Sequence, residues 1–405
     1  MSMIYLDNAA TTPVRPEVQE AMLPYLKEQY GNPSGLYQLA TESKHAVESA
    51  RKTIADTLGC EPEEIYFTSG GTESDNWAIK AAVEAWEKNN KGKNQECHII
   101  TTNIEHHAVL HTCQALEEKG CSITYLKVDE RGQISIRELE RAIRPNTALI
   151  SVMFANNEVG TIQPIQKIGE IAQRHGIYFH TDAVQAYGHL PIAVKHLGID
   201  MLSASGHKCN GPKGIGFLYV KKEVDLPPFI HGGAQERAHR AGTENVPGII
   251  GMGKAAELAH VHMEIREAQT AAMRDHLIHR LLMEIPFTRL NGSQNRRLAG
   301  NCNVSFQFIE GAALLVLLDE EGICAAAGSA CSSGSKEPSH VLQAMGIPDD
   351  IAHGTLRLTI GYQNTMEEMN RAVEIIKACV ERLRKTSAEF EDYINAAFIY
   401  DKDDY

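Results

Sequence analysis

Between about residues 60 and 220, short apolar runs alternate with amphipathic stretches, the pattern of a mostly parallel sheet covered by helices. The runs predict strands over EIYFTS (64–69), HIITTN (98–103), LISVMFA (149–155), IYFHTDA (177–183), MLSASG (201–206) and GFLYV (216–220). Between two of them, IQKIGEIAQRHG (165–176) repeats apolar positions at helical spacing and meets a stop signal at Gly176. Near residue 250 the pattern changes. Residues 248–285 predict one or two long helices, and shorter strands such as CNVSFQF (302–308) follow. The expected organisation is an α/β chain with a large domain over 14–259 and a smaller α+β domain made of 1–13 and 260–405. The acidic tail FEDYINAAFIYDKDDY (390–405) is expected to fray.

Residues able to do chemistry fall just past the ends of these runs, where open α/β sheets bind their ligands. In SASGHKCNGPKGIG (203–216), Lys208 follows a strand between Gly206 and Gly211. A lysine there can form a Schiff base with an aldehyde such as pyridoxal phosphate; the alternative is a plain loop lysine. Asp182 ends IYFHTDA, either to pair with a pyridinium nitrogen or to cap a turn. SGGTES (69–74) offers two glycines before a helix start, either an anion cradle at Gly71 and Thr72 or an ordinary turn. His106 in IEHHAVL (104–110) can stack on a ring and exchange protons near neutral pH. No carboxylate or second histidine at ligand spacing calls for a metal there. Asn157 in ANNEVG (155–160) can hydrogen-bond a cofactor or substrate.

Composition narrows the setting. Of the 405 residues 43% are apolar and 22% charged, the balance of an ordinary globular protein. A net charge of −13 disfavours direct nucleic-acid binding. The start carries no signal-peptide pattern and no apolar run approaches a membrane span, so a soluble cytoplasmic protein is expected. Nine cysteines without a C-x-x-C pair argue against a disulfide framework or a structural zinc site.

The chain resembles the fold-type I, class V aminotransferase-like enzymes, and within them the NifS/IscS-type cysteine desulfurases. The resemblance rests on YLDNAATTP (5–13), GNPSG (31–35), FTSGGTESDN (67–76), EHHAVL (105–110), NNEVG (156–160), HTDAVQA (180–186), SGHKCNGPKG (205–214), HGGAQERAHRAGTEN (231–245), GSACSSGSKEPSHVL (328–342) and RLTIG (357–361). It implies a pyridoxal 5′-phosphate enzyme that takes sulfur from L-cysteine and releases alanine. Lys208 would be the Schiff-base lysine and would take the Cα proton. Gly71, Thr72, Ser205 and His207 would bind the phosphate, His106 would stack on the ring and act as acid, and Asp182 would pair with the ring nitrogen. Gln185 and Asn157 would face the phenolic oxygen, Asn157 also the substrate, and Arg357 would hold the substrate carboxylate. Thr243 would reach the phosphate of a second subunit, which implies a homodimer.

Cys331 separates the relatives. The resemblance makes it the thiol that attacks the substrate sulfur, carries a persulfide, and passes sulfur to an acceptor protein for iron–sulfur assembly or tRNA thiolation. No resident metal is implied; Cys331 would at most ligate an iron–sulfur cluster transiently during transfer. An aminotransferase would not need Cys331, a selenocysteine lyase would favour selenium, and a docking scaffold would show negligible turnover. Cys209, directly after the lysine, departs from the family and is expected to be packed and inert.

Overall fold

The computed structural model describes residues 3–91, 96–261, 263–327 and 338–400, side chains of 396–400 excepted. Its largest sheet has seven strands in the order Ile65–Thr68, Gly216–Val220, Met201–Ser205, Tyr178–Asp182, Thr147–Ser151, His98–Thr102 and Ser122–Leu126. Gly216–Val220 runs antiparallel to both neighbours and every other pairing is parallel. Successive residues in these strands point to opposite faces. Ile100, Ile150, Leu202 and Phe217 enter one apolar core, while Ile99, Leu149, Met201 and Leu218 enter another on the far side. Burial on both faces explains why these strands are continuous apolar runs in the sequence.

Two predicted elements differ from expectation, and one strand was not expected. The run 149–155 is regular strand over Thr147–Ser151 only, although Val152 and Phe154 N–H still bond to the carbonyls of His180 and Asp182. Ser122–Leu126 was not anticipated: it is a half-exposed edge strand, SITYL, with too few apolar residues to stand out. The described part of the tail, as far as Tyr400, does not fray. Ala388–Tyr400 forms a helix, and Phe390 and Tyr393 pack against Phe287 and Phe308 with ring centroids 5.1 to 6.3 Å apart.

The helix 165–175 closes as expected, with Gly176 in the left-handed conformation at φ 64° donating back to Ala172. The region after 245 forms two helices, Val246–Val261 and Met263–Glu284. A four-stranded antiparallel sheet then joins Ala326–Ala327, Thr355–Thr359, Asn301–Phe306 and Thr288–Leu290. Ile4–Tyr5 pairs with Ile323–Cys324, so Ile4 and Leu6 are buried with Leu277, Val304, Phe306, Leu356 and Ile376 in a separate core. From there residues 7–12 cross to the large sheet, where Thr12 N–H bonds the carbonyl of His207. Among the described residues no helix is long and apolar enough to cross a membrane.

Candidate active site

A cavity of about 300 Å³ opens where residues 9–10 pass over the ends of the parallel strands. Gly71, Thr72, His106, Asn157, Asp182, Gln185, Ser205, His207, Lys208 and Arg357 all line it. They come from six segments, five that end or follow strands of the large sheet and, for Arg357, a strand of the second sheet.

Lys208 is positioned by backbone folding. After Met201–Ser205 the chain makes a tight turn, with Gly206 N–H bonded to Ile215 and Gly211 N–H returned to Gly206. A Cβ on Gly206 would lie 2.9 Å from the Pro212 carbonyl, so no side chain fits there. Lys208 Nζ donates to the carbonyls of Ala9 at 2.5 Å and Ala10 at 2.9 Å. Gln185 Nε2 also donates to Ala9 O, at 3.0 Å. His207 contacts Thr11 Oγ1 at 3.2 Å, and burial together with Lys208 and Lys213 lowers its pKa to about 4.

The glycine segment forms a bare helix start. Gly70 caps the helix Gly71–Asn89, and a Cβ on Gly71 would come within 2.5 Å of Val184. The first-turn N–H groups have no partners within the helix, the usual setting for a bound anion. Glu73 turns aside, accepting from Ser69 N–H and pairing with Arg240 at 2.8 Å. Burial pushes Glu73 up, but Arg240 and Ser69 outweigh it and hold the carboxyl low. The sequence did not single out Arg240; its partner lies 167 residues away.

His106 caps the helix His107–Glu117, its Nδ1 accepting from Ala108 N–H at 3.1 Å. A neutral ring therefore carries its proton on Nε2. Asp182 faces the cavity and also holds the turn that follows it, its Oδ1 accepting from Val184 N–H at 2.9 Å. Burial raises its pKa, while His106 and Lys208 pull it down. Asp75, completely enclosed beside it, is raised well above the carboxylate range by burial and by the charge of Asp182. Glu105, accepting from Met153 N–H and Thr102 Oγ1, is pushed up to about 8 by burial.

Asn156 and Asn157 divide their work. Asn156 is buried and folds the turn, donating to Ile104 O and accepting from Glu158 and Val159 N–H, which leaves Asn157 to the cavity. Arg357, 1% exposed, donates to Asp7 Oδ1 at 2.8 Å and to Asn157 O at 3.2 Å, while its Nε is buried without a partner among the described residues. Asp7 is a site residue that the sequence reading did not assign; its only local clue is its place in YLDNAATTP. Glu158 is raised to about 7 by burial between Ser339, which donates to it, and Arg357.

Two expected residues are not seen at this cavity, for different reasons. Thr243 is exposed and absent from its lining. Cys331 lies outside the described residues. Cys209 is buried and its thiol is pushed up to about 12, as its packed position demands. Among the described residues no cluster of three His, Cys, Asp or Glu side chains is placed to hold a metal ion.

The donor set fits pyridoxal phosphate. Buried acids pushed upward, Asp182 and Asp75 among them, call for a cationic partner, which a protonated ring nitrogen provides. The glycine helix start suits a phosphate, and Arg357 lines the same cavity with a guanidinium suited to a carboxylate.

The aminotransferase class-V family matches residues 4–372. The chain is 59% identical over 384 residues to a cysteine desulfurase IscS of Methanosarcina thermophila, covering 95% of this chain and 93% of that one. A solved NifS-like protein superposes with a TM-score of 0.86 at 37% identity, covering 94% of this chain and 99% of its own. A structure titled as SspA in complex with cysteine gives 0.78 at 40% identity, covering 89% and 100%. The chain thus belongs to the class-V aminotransferase family and, within it, to the pyridoxal-phosphate-dependent cysteine desulfurases.

Proposed function

We infer that the protein removes sulfur from L-cysteine, stores it as a persulfide on Cys331, and hands it to an acceptor protein, releasing L-alanine. The observation that carries this reading is one cavity holding Lys208, Asp182 and Arg357 together. Gly71 and Thr72, with Ser205 and His207, would hold the phosphate, and His106 would cover the ring. Bound pyridoxal phosphate supplies an electron sink that stabilises negative charge at the substrate Cα. Asp182 keeps a proton on the ring nitrogen. Arg357, steadied by Asp7, binds the substrate carboxylate with Asn157 beside it. Lys208 Nζ takes the Cα proton and returns it to the product. His106 Nε2 delivers a proton on the cavity side, and the Cys331 thiolate takes the sulfur.

The exposed position of Thr243 supports its service to a second copy, hence a homodimer. Separate apolar cores support a large domain over 14–259 and a small one of 1–13 with 260–405. The eight described cysteines are all free thiols, which supports a reducing, cytoplasmic setting. The relatives named IscS support iron–sulfur assembly as the destination, with tRNA thiolation as the other outlet.

The test is alanine and sulfide release from L-cysteine under reductant, native protein against Cys331→Ala. Native turnover with a yellow but inactive variant, losing at least ~10²-fold as expected of a missing nucleophile, supports the reading. Equal rates in both would remove Cys331 from the chemistry.

A further inference from the structure

The side chain of Lys208 lines the cofactor cavity, but its backbone carbonyl faces other company. His189 Nε2 lies 3.2 Å from that carbonyl, and His189 Nδ1 lies 3.2 Å from Glu267 Oε1. His189 and Glu267 line a second, shallow pocket, which meets the first only at Ala9 and Gln185. Arg266, the neighbour of Glu267 on the helix Met263–Glu284, donates to Glu267 Oε1 at 3.2 Å and to the carbonyl of Gly188. Gly188 sits at φ 81°, and a Cβ there would meet Cys209 Cβ at 2.8 Å. Consecutive residues of one helix therefore grip Gly188 and His189, and His189 grips Lys208.

The proton count follows from the partners. A carboxylate and a backbone carbonyl only accept, and a neutral imidazole has a single N–H. Both contacts are satisfied only when the ring is an imidazolium. The electrostatics agree: burial alone would lower the His189 pKa, but Glu267 outweighs it and the net shift is upward. Glu267 moves the opposite way, held low by His189 and Arg266 against its own burial. The charged groups facing His189 are Glu267 and Arg266 from the helix; the turn presents only the neutral carbonyl of Lys208.

We propose that His189, kept as an imidazolium by Glu267, is a positioning residue that fixes the backbone of the cofactor lysine and ties it to the helix leading into the second core. This rests on the reading of Lys208 as the cofactor-bearing residue. A lysine that must hold the cofactor and then carry a proton needs a side chain free to move on a backbone that does not. The imidazolium supplies that fixed point through a charge-assisted hydrogen bond.

The test uses protein loaded with pyridoxal phosphate and reads three things: the rate at which hydroxylamine strips the cofactor, the pH titration of its bound absorbance, and the thermal midpoint. His189→Leu should strip roughly tenfold faster, the scale of one hydrogen bond to a charged group. His189→Gln, which restores a donor toward the Lys208 carbonyl, should recover most of the native rate. Glu267→Gln, which removes the ring's counter-charge, should fall between them. If the stripping rate and the titration stay native in all three while the midpoint drops, His189 is merely structural and the proposal fails. Should His189→Leu not fold, an unchanged stripping rate in Glu267→Gln overturns it alone. None of these readouts needs cysteine turnover. A native protein that binds the cofactor but releases no alanine would sink the desulfurase reading and leave this result standing; one that shows no Lys208-linked absorbance would sink both.

Discussion

Glu267 and Asp182 stand on opposite sides of Lys208, and burial has opposite consequences for them. Asp182 shares its surroundings with Asp75 and Glu105, and burial drives all three upward. Glu267 is flanked by His189 and Arg266, and its carboxyl is held low despite burial. The helix side is electrostatically complete within the chain. The cavity side is left with an excess of acid, and that deficit is the mark of a site built around a cationic ligand rather than of a finished core.

The contrast predicts effects of opposite sign. Asp182→Asn keeps the acceptor for Val184 N–H but cannot hold a proton on the ring nitrogen, so cysteine turnover should fall by ~10²-fold or more. The thermal stability of the cofactor-free variant should hold or rise, because a strained buried acid has been neutralised. Glu267→Gln should instead lower stability, by about 1–3 kcal/mol, below the usual cost of breaking a buried pair because both partners are partly exposed. Calorimetry of the two variants side by side breaks the comparison if Asp182→Asn proves as destabilising as Glu267→Gln.

The two sides also differ in how they are written along the chain. Gly71, His106, Asn157, Asp182 and Lys208 each sit within a few residues of a strand end, so a local window contains both the side chain and the reason for its position. His189 has no such signal. Its partner lies 78 residues away on a helix whose apolar spacing says nothing about which polar residue faces the turn. Arg357 was legible through its family motif, whereas Asp7, 350 residues distant, acquires its role only when the first strand pairs into the second core. The tail failed for the same reason: Phe287 and Phe308, which receive its aromatics, leave no trace in residues 388–400. What the sequence hides is long-range pairing between segments that are each unremarkable alone.

A smaller test sharpens the acid-excess side. Glu105 has a folded pKa of about 8 against an ordinary 4.5, so the folded state binds the extra proton. Its stabilising contribution is full below 4.5 and is lost as pH rises through 8. Between pH 7 and 8 Glu105 should cost the cofactor-free protein about 1 kcal/mol, with a smaller share from Glu158, which titrates at about 7. Glu105→Gln keeps an acceptor for Met153 N–H and should flatten that slope. Urea titrations at the two pH values decide it, and an unchanged slope in the variant removes Glu105 from the acid excess.

The smallest expected effect provides the remote control for both sides. Tyr393 is 45% exposed, and its ring lies 5.1 Å from Phe287 and 5.2 Å from Phe308, away from the polar networks around Lys208. Truncation removes two aromatic contacts from a half-open cluster, so Tyr393→Ala should cost about 0.5 kcal/mol. It should leave alanine release and hydroxylamine stripping at native rates. If stripping accelerated as it does in His189→Leu, loosening anywhere in the second core would be enough to disturb Lys208. The link through His189 and Glu267 would then lose its claim to be the specific connection between that core and the cofactor lysine.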